Sequence, residues 1–392
     1  MSRRNRNKSE FDWDIFCRVV DNLGDVGVCW RLARQLIAEH GCKVRLWVDD
    51  LATFSRLTTM IDATLDQQML SGLDVRRWLE PFSDVVPGDV VVEAFACELP
   101  VSFKRAMAEK SKAPAWINLE YLSAEPWVSG THRLPSPQGA LTKYFFFPGF
   151  VPQTGGLLRE CDLLEKRKRF QAEPVSQAAF WQSLGIPIAS PNELRVSLFC
   201  YENPALPALL RQWSCSSLAV TCITPTGVAT SELEKFFGVP IRESRQTLTT
   251  GKLTLHVIPF LDHERYDQLL WACDVNFVRG EDSFVRAQWA ARPFVWHIYP
   301  QDENAHRIKL DAFLALFCVD MAAASADKVR SIWRGWNGDG LTPQVWDEWL
   351  ESRASTTWPW AIAFQTNTWA EKLARQPNFA SALVNFTSDL LK

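Results

Sequence analysis

Asp21 and Asp25 stand four residues apart in the polar segment Asp21-Asn22-Leu23-Gly24-Asp25-Val26-Gly27, which joins a short apolar run to a helix-like one. Two carboxylates at a helix N-terminus repel an anionic ligand but suit a cation or a proton transfer. A plainer role is equally open to them, since an aspartate at this place caps a helix. The segment lacks both Gly-x-Gly-x-x-Gly and Gly-x-x-x-x-Gly-Lys-Ser/Thr, so neither a dinucleotide loop nor a P-loop is indicated. Asp49-Asp50 follows the second strand-like run, as a methyltransferase acid would, but the glycine-rich loop that accompanies such an acid is missing.

Further along, Val278-Arg279-Gly280-Glu281-Asp282-Ser283-Phe284-Val285-Arg286 follows an apolar run and opens a helix. Exposed backbone N–H groups, the helix dipole and Ser283 make an anion site fit for a diphosphate. Glu281 and Asp282 are odd beside a phosphate and ordinary at a helix start. Phe199 and Tyr201 close one strand-like run and Tyr266 sits in a helix start. Such aromatics stack on a nucleobase or serve as wall. The run Pro293–His297 followed by Pro300-Gln301-Asp302-Glu303-Asn304-Ala305 is similar to the donor side of two-domain glycosyltransferases, where polar residues of that loop reach the donor. His297 on an apolar strand reads first as a packed histidine.

These residues need elements to hold them. Trp13–Val20 predicts a buried strand, Asp21–Gly27 a loop, Val28–His40 a helix stopped by Gly41, and Lys43–Val48 a second strand. Strand, helix, strand is a βαβ unit, so the sheet starts parallel. Strands are also expected at Asp89–Ala96 and Ala115–Leu119, and long loops plus a strand over Pro126–Gly156. A charged helix over 160–190 leads through a Gly-Ile-Pro linker to a second alternating block. Its strands are expected at Leu194–Cys200, Leu218–Ile223, Leu253–Val257, Val275–Val278 and Phe294–Ile298. The tail from about 365 reads as helix. The fold class is therefore α/β, two Rossmann-like domains facing each other across a cleft, at 1–185 and 190–364, with the last helix packing back on the first.

Bulk numbers agree with a packed soluble protein. The 392 residues are 47% hydrophobic and 22% charged, with formal net charge −3. That charge speaks against nucleic acid or an anionic membrane as partner. No apolar run approaches the roughly 18 residues that span a bilayer, and the basic start leads into no signal-like core. The ten cysteines form no Cys-x-x-Cys pair or zinc pattern. Cys17, Cys29, Cys97, Cys200, Cys222 and Cys273 read as buried reduced thiols of a cytoplasmic protein. Of 18 tryptophans, seven crowd the last sixty residues. The spacings Trp333/Trp336 and Trp346/Trp349 suggest helix packing, or a sugar-binding surface.

Five blocks in order carry a resemblance: Asp-Asn-Leu-Gly-Asp-Val-Gly-Val-Cys-Trp-Arg-Leu-Ala-Arg, Glu-Ala-Phe-Ala-Cys-Glu-Leu-Pro, Asn-Leu-Glu-Tyr-Leu-Ser-Ala-Glu, Arg-Gly-Glu-Asp-Ser-Phe-Val-Arg-Ala-Gln and Trp-His-Ile-Tyr-Pro-Gln-Asp-Glu-Asn. Together they resemble the elongation factor P arginine rhamnosyltransferase family. The resemblance implies a GT-B fold and inverting, metal-independent, cofactor-free transfer of L-rhamnose. The donor would be dTDP-β-L-rhamnose and the acceptor an arginine of elongation factor P, in support of polyproline translation. It places the catalytic acids on Asp21, Asp25 and Glu281. The donor set falls on Phe199, Tyr201, Tyr266, Arg279, Gly280, Asp282, Ser283 and Gln301. Asn22, Gly24 and Gly27 fall in the acceptor-side loop. Carboxylates fit the chemistry, because a guanidinium with a pKa above about 12 must be oriented and relieved of a proton. In this reading Asp25 is the base, Asp21 holds the guanidinium and Glu281 fixes rhamnose or the acceptor. A transferase with a small-molecule acceptor, and a silent binding protein on the same scaffold, are the rivals. The first has no need of two acceptor-side carboxylates, and the second is free to lose all three acids.

Overall fold

Fully buried runs such as Val90-Val-Val-Glu-Ala94 and Ala115-Trp-Ile-Asn-Leu119 are what parallel strands covered on both faces require. The computed structural model describes residues 11–20, 23–58, 60–190, 192–242, 244–301, 304–340 and 358–392. It divides into two α/β units, Met1–Cys161 with Leu373–Lys392, and Asp162–Lys372.

In unit 1 the order is β1 (Asp12–Cys17), α1 (Leu23–His40), β2 (Lys43–Val48), α2 (Leu51–Leu57), β3 (Gln67–Leu70), β4 (Leu73–Arg77), β5 (Val90–Ala94), α3 (Val101–Glu109), β6 (Ala115–Leu119), α4 (Trp127–Thr131), β7 (Pro135–Gln138) and β8 (Leu141–Phe146). The eight strands run β3-β4-β2-β1-β5-β6-β8-β7. All neighbours are parallel except the two edge hairpins, β3–β4 and β7–β8. Phe16 centres the core, packed with Trp47, Trp78, Phe82 and Phe103. The buried carboxylate of Asp14 is fully engaged by Arg45, Trp47 Nε1 and the N–H of Gly88. A Cβ on Gly88 would meet the Asp12 carbonyl oxygen at 2.5 Å, so only glycine fits there.

Unit 2 follows with α5 (Leu163–Ala172), α6 (Pro174–Ser183), β9 (Glu193–Leu198), α7 (Leu206–Ser214), β10 (Ala219–Pro225), α8 (Thr230–Phe237), β11 (Thr247–Thr250), β12 (Leu253–Ile258), α9 (His263–Ala272), β13 (Val275–Arg279), α10 (Asp282–Ala290), β14 (Phe294–His297), α11 (Ala305–Phe317), α12 (Ala323–Arg334), a π-turn at Gly335–Asp339 and α13 (Trp358–Ala374). Its sheet runs β11-β12-β10-β9-β13-β14, again parallel but for one edge hairpin. The chain closes with α14 (Phe379–Leu390), which packs in unit 1 through Phe379 against Phe146 and Phe386 against Tyr144.

Three expectations change. Helix α1 begins at Leu23, so Gly24, Asp25 and Gly27 belong to its first turns and not to a loop; Asp21 and Asn22 lie outside the described residues. Burial of Leu23 and Val26 outweighs the glycines' weak helix propensity. The units part at Cys161, not at 185. Arg167 and Gln171 of α5 donate to the carbonyls of Trp289 and Ala290, which ties that helix to unit 2. The antiparallel edge pairings were not expected, because their short outer strands β3, β7 and β11 are too polar for a periodicity signal. Trp333, Trp336 and Trp369 are buried in unit 2. Trp346 and Trp349 lie outside the described residues.

Candidate active site

In each unit the strand order reverses beside its first strand, between β1 and β5 and between β9 and β13, where α/β sheets place ligands. Most of the described candidate residues gather at the carboxyl edges of those strands, while Asp21 and Asn22 lie outside the described residues.

In unit 1 the connector after β1 is pinned by two carboxylates. Val19 N–H donates to Asp49 Oδ1 at 2.9 Å, and Val20 N–H donates to Asp25 Oδ2 at 2.9 Å. Asp25 is 2% exposed. Its charge lies near the buried Cys17 thiol, whose pKa is pushed well up, first by a hydrogen bond with Cys29 and then by burial. Asp50 caps α2, accepting the N–H and hydroxyl of Thr53, which hold its carboxyl below the usual range. Both acids after β2 thus have structural partners, and the methyltransferase reading loses its last support.

In unit 2 the Arg279 guanidinium is the centre. It lies 4.4 Å from the Phe199 ring and 4.8 Å from the Tyr201 ring, and Nη1 donates to the Cys200 carbonyl at 2.9 Å. Tyr266 meets Phe199 edge-on at 5.8 Å. Burial raises the Tyr266 phenol, which stays a neutral donor. Gly280 turns the chain at φ 61°, its carbonyl accepting Trp296 Nε1 at 2.7 Å. Glu281 is the N-cap residue of α10 but makes no capping bond. The start of that helix carries the positive end of its dipole. Ser283, buried, turns its hydroxyl back onto Arg279, accepting its N–H at 3.0 Å and donating to its carbonyl. Asp282 stands 3.9 Å from His263.

Guanidinium, helix start and ring faces together match a nucleoside diphosphate. The sequence family described as Elongation-Factor P (EF-P) rhamnosyltransferase EarP matches residues 13–388. The chain belongs to this family. A protein-arginine rhamnosyltransferase of Pseudomonas putida is 48% identical over 375 residues, 95% of this chain and 98% of that protein. One from Pseudomonas aeruginosa is 47% identical over 380 residues, covering 97% and 99%. A solved structure concerned with EarP-mediated arginine glycosylation of EF-P superposes with TM-score 0.69 at 35% identity, covering 97% of this chain and 99% of that one. An α-glucosyltransferase in complex with UDP and a DNA 13-mer, at TM-score 0.50 and 8% identity, shares the fold alone. The fold class is GT-B.

Within this family member, Phe199, Tyr201, Tyr266, Arg279, Gly280, Glu281, Asp282 and Ser283 lie at one sheet edge of unit 2. Gln301, past the end of β14, is exposed, and its N–H donates to His306 Nδ1 at 3.1 Å. Sequence reasoning missed Phe260 and Tyr299, which join the aromatic group against Phe199 at 6.1 Å and Tyr201 at 5.4 Å. Each lies two residues past a strand end, the one signal that pointed to them. His297 packs on Tyr201 at 5.3 Å, and burial, then Arg279 and His306, push its pKa down to about 4. Among the described residues no group of three or more His, Cys, Asp or Glu is arranged to hold a metal, and no helix is long and apolar enough to cross a membrane.

Proposed function

We propose that this chain transfers L-rhamnose, with inversion, from dTDP-β-L-rhamnose to the side chain of an arginine in elongation factor P. Unit 1 receives the arginine and unit 2 the donor, and the reaction runs in the cytoplasm without a metal or other cofactor. The observation that carries the reading is the buried Asp25 carboxylate at the carboxyl edge of the unit 1 sheet, in a chain whose relatives are named protein-arginine rhamnosyltransferases.

A guanidinium is a cation and a poor nucleophile, so a carboxylate must orient it and accept a proton as the bond forms. A guanidino nitrogen attacks the anomeric carbon, its N–H proton passes to Asp25, and the bond from that carbon to the diphosphate oxygen breaks. Asp21 holds the remaining N–H groups. The leaving dTDP is stabilised by Arg279 and the positive end of the α10 dipole, which supply positive charge where a metal would otherwise serve. Phe199 and Tyr266 hold the base, and Glu281 fixes the sugar or the guanidinium.

The test is incubation of purified protein with elongation factor P, dTDP-β-L-rhamnose and a chelator, followed by peptide mapping and NMR of the product. An α-linked deoxyhexose on one arginine peptide is expected. Modification of a lysine or a hydroxyl residue, or retention at the anomeric carbon, contradicts the reading.

A further inference from the structure

Among the described residues of unit 1, the connection from β5 to α3 is the most strained backbone. Phe95, Ala96 and Glu98 have φ of 56°, 52° and 55°, a region that residues with a side chain avoid. Three such residues within four positions persist only where surrounding contacts force them, and such strain collects at functional sites. Here the contacts are specific. Phe95 N–H donates to the Leu119 carbonyl at 2.7 Å. Glu98 N–H donates to Glu93 Oε1 at 3.1 Å. Glu93 is itself 2% exposed and held by Trp116 Nε1 and Lys143 Nζ. The Cys97 thiol reaches the Phe16 carbonyl at the end of β1, 3.5 Å away. The loop thus abuts the strand whose connector Asp25 closes, at the reversal point of the sheet.

What this scaffold presents is a pair of rings. Phe95 and Tyr121 stack with centroids 4.4 Å apart and planes 17° from parallel, and both are only half-buried. Glu98 is exposed beside Phe95, and the half-buried Glu120 precedes Tyr121 and accepts a hydrogen bond from Asn118 Nδ2. Ring faces attract cations and carboxylates repel a diphosphate, so this edge suits a guanidinium and not the nucleotide sugar.

We propose that the Phe95–Tyr121 stack, flanked by Glu98 and Glu120, is the wall of unit 1 that binds the guanidinium-bearing side chain of the acceptor arginine. The proposal rests on the reading that unit 1 receives the acceptor. The rings position the planar cation by stacking, and Glu98 and Glu120 set the sign of charge that enters.

Phe95→Leu and Tyr121→Leu keep apolar bulk and remove a ring face. Each raises KM for elongation factor P by about fivefold to thirtyfold, the range of a partly desolvated cation–π contact. KM for dTDP-β-L-rhamnose stays within about twofold, and Tyr121→Phe, which keeps the ring, restores the wild-type acceptor KM. Acceptor KM within twofold of wild type in both leucine variants overturns the assignment, as does a parallel rise in donor KM or no rescue by Tyr121→Phe. Should a leucine variant fail to fold, the exposed Glu98→Gln carries the test: a raised acceptor KM supports the wall and an unchanged one overturns it. Wild-type protein that modifies no arginine at all refutes the transfer reading instead, which separates the two failures.

Discussion

Asp25 accepts the backbone N–H of Val20 at 2.9 Å although its own place is the first turn of α1. One carboxylate therefore closes the strand-to-helix connector and stands at the sheet edge where the proposed proton transfer occurs. The two roles separate by substitution.

Asp25→Asn keeps an oxygen for the Val20 N–H and removes the base. Turnover should fall about 10²–10⁴-fold, with the unfolding midpoint close to wild type. Asp25→Ala should lose turnover equally and also about 1 kcal/mol of stability, for the hydrogen bond. Steady-state kinetics and thermal unfolding of both variants read this out. Turnover of Asp25→Asn within threefold of wild type would leave Asp25 as a connector clasp only.

Arg279→Lys keeps the charge but loses the planar group that faces Phe199 and Tyr201 and the bond to the Cys200 carbonyl. Lysine does not replace arginine at a stacked site. KM for dTDP-β-L-rhamnose should rise about tenfold, with acceptor KM little changed. Titration calorimetry with dTDP checks it, and an unchanged Kd would remove Arg279 from the donor site.

Much of this was legible in the chain. β-strands such as Lys43–Val48 and Ala115–Leu119 were read to the residue because continuous burial leaves a continuous apolar run. The turn at Gly280 and the helix behind it were legible for the same reason: strand, glycine and helix-start acids each leave a local mark. The start of α1 was not, because Gly24 and Gly27 signal a loop and only tertiary burial overrules them. The clamp of Arg279 on Phe199 and Tyr201 joins positions about eighty residues apart, and no local pattern encodes it. Nor did spacing reveal the Phe95–Tyr121 stack, which depends on a left-handed backbone that alanine and phenylalanine do not announce.

Asp267 on α9 and Arg286 on α10 form a buried ion pair that fixes the two helices bearing Tyr266 and Ser283. Arg286→Leu leaves the Asp267 charge alone and should cost about 3–5 kcal/mol. Asp267→Asn added to it should recover part of that loss. Chemical denaturation of the single and double variants decides. Equal stability of the single variant and wild type would mean that the pair contributes nothing.

His297 and His132 are both held near pKa 4 by burial, and His132 Nδ1 accepts the Phe147 N–H, which a protonated ring cannot do. Between about 6.5 and about 4 the unfolded chain takes up protons that the folded chain refuses. Stability is therefore full above pH about 6.5 and falls as the pH drops toward 4, by about 3 kcal/mol at most for His297 and by less for the half-buried His132, whose charge solvent screens. His297→Gln and His132→Gln should each flatten that slope in urea melts taken from pH 4 to 7. An unaltered slope in both would place the protons elsewhere.

The most direct measurement is the intact mass of elongation factor P after incubation with dTDP-β-L-rhamnose and either wild-type protein or Asp25→Asn. One added deoxyhexose, on an arginine, is expected with the wild type, and none on the same timescale with the variant. No mass gain with a wild-type protein that binds dTDP-β-L-rhamnose, or an equal gain with both proteins, would contradict that expectation.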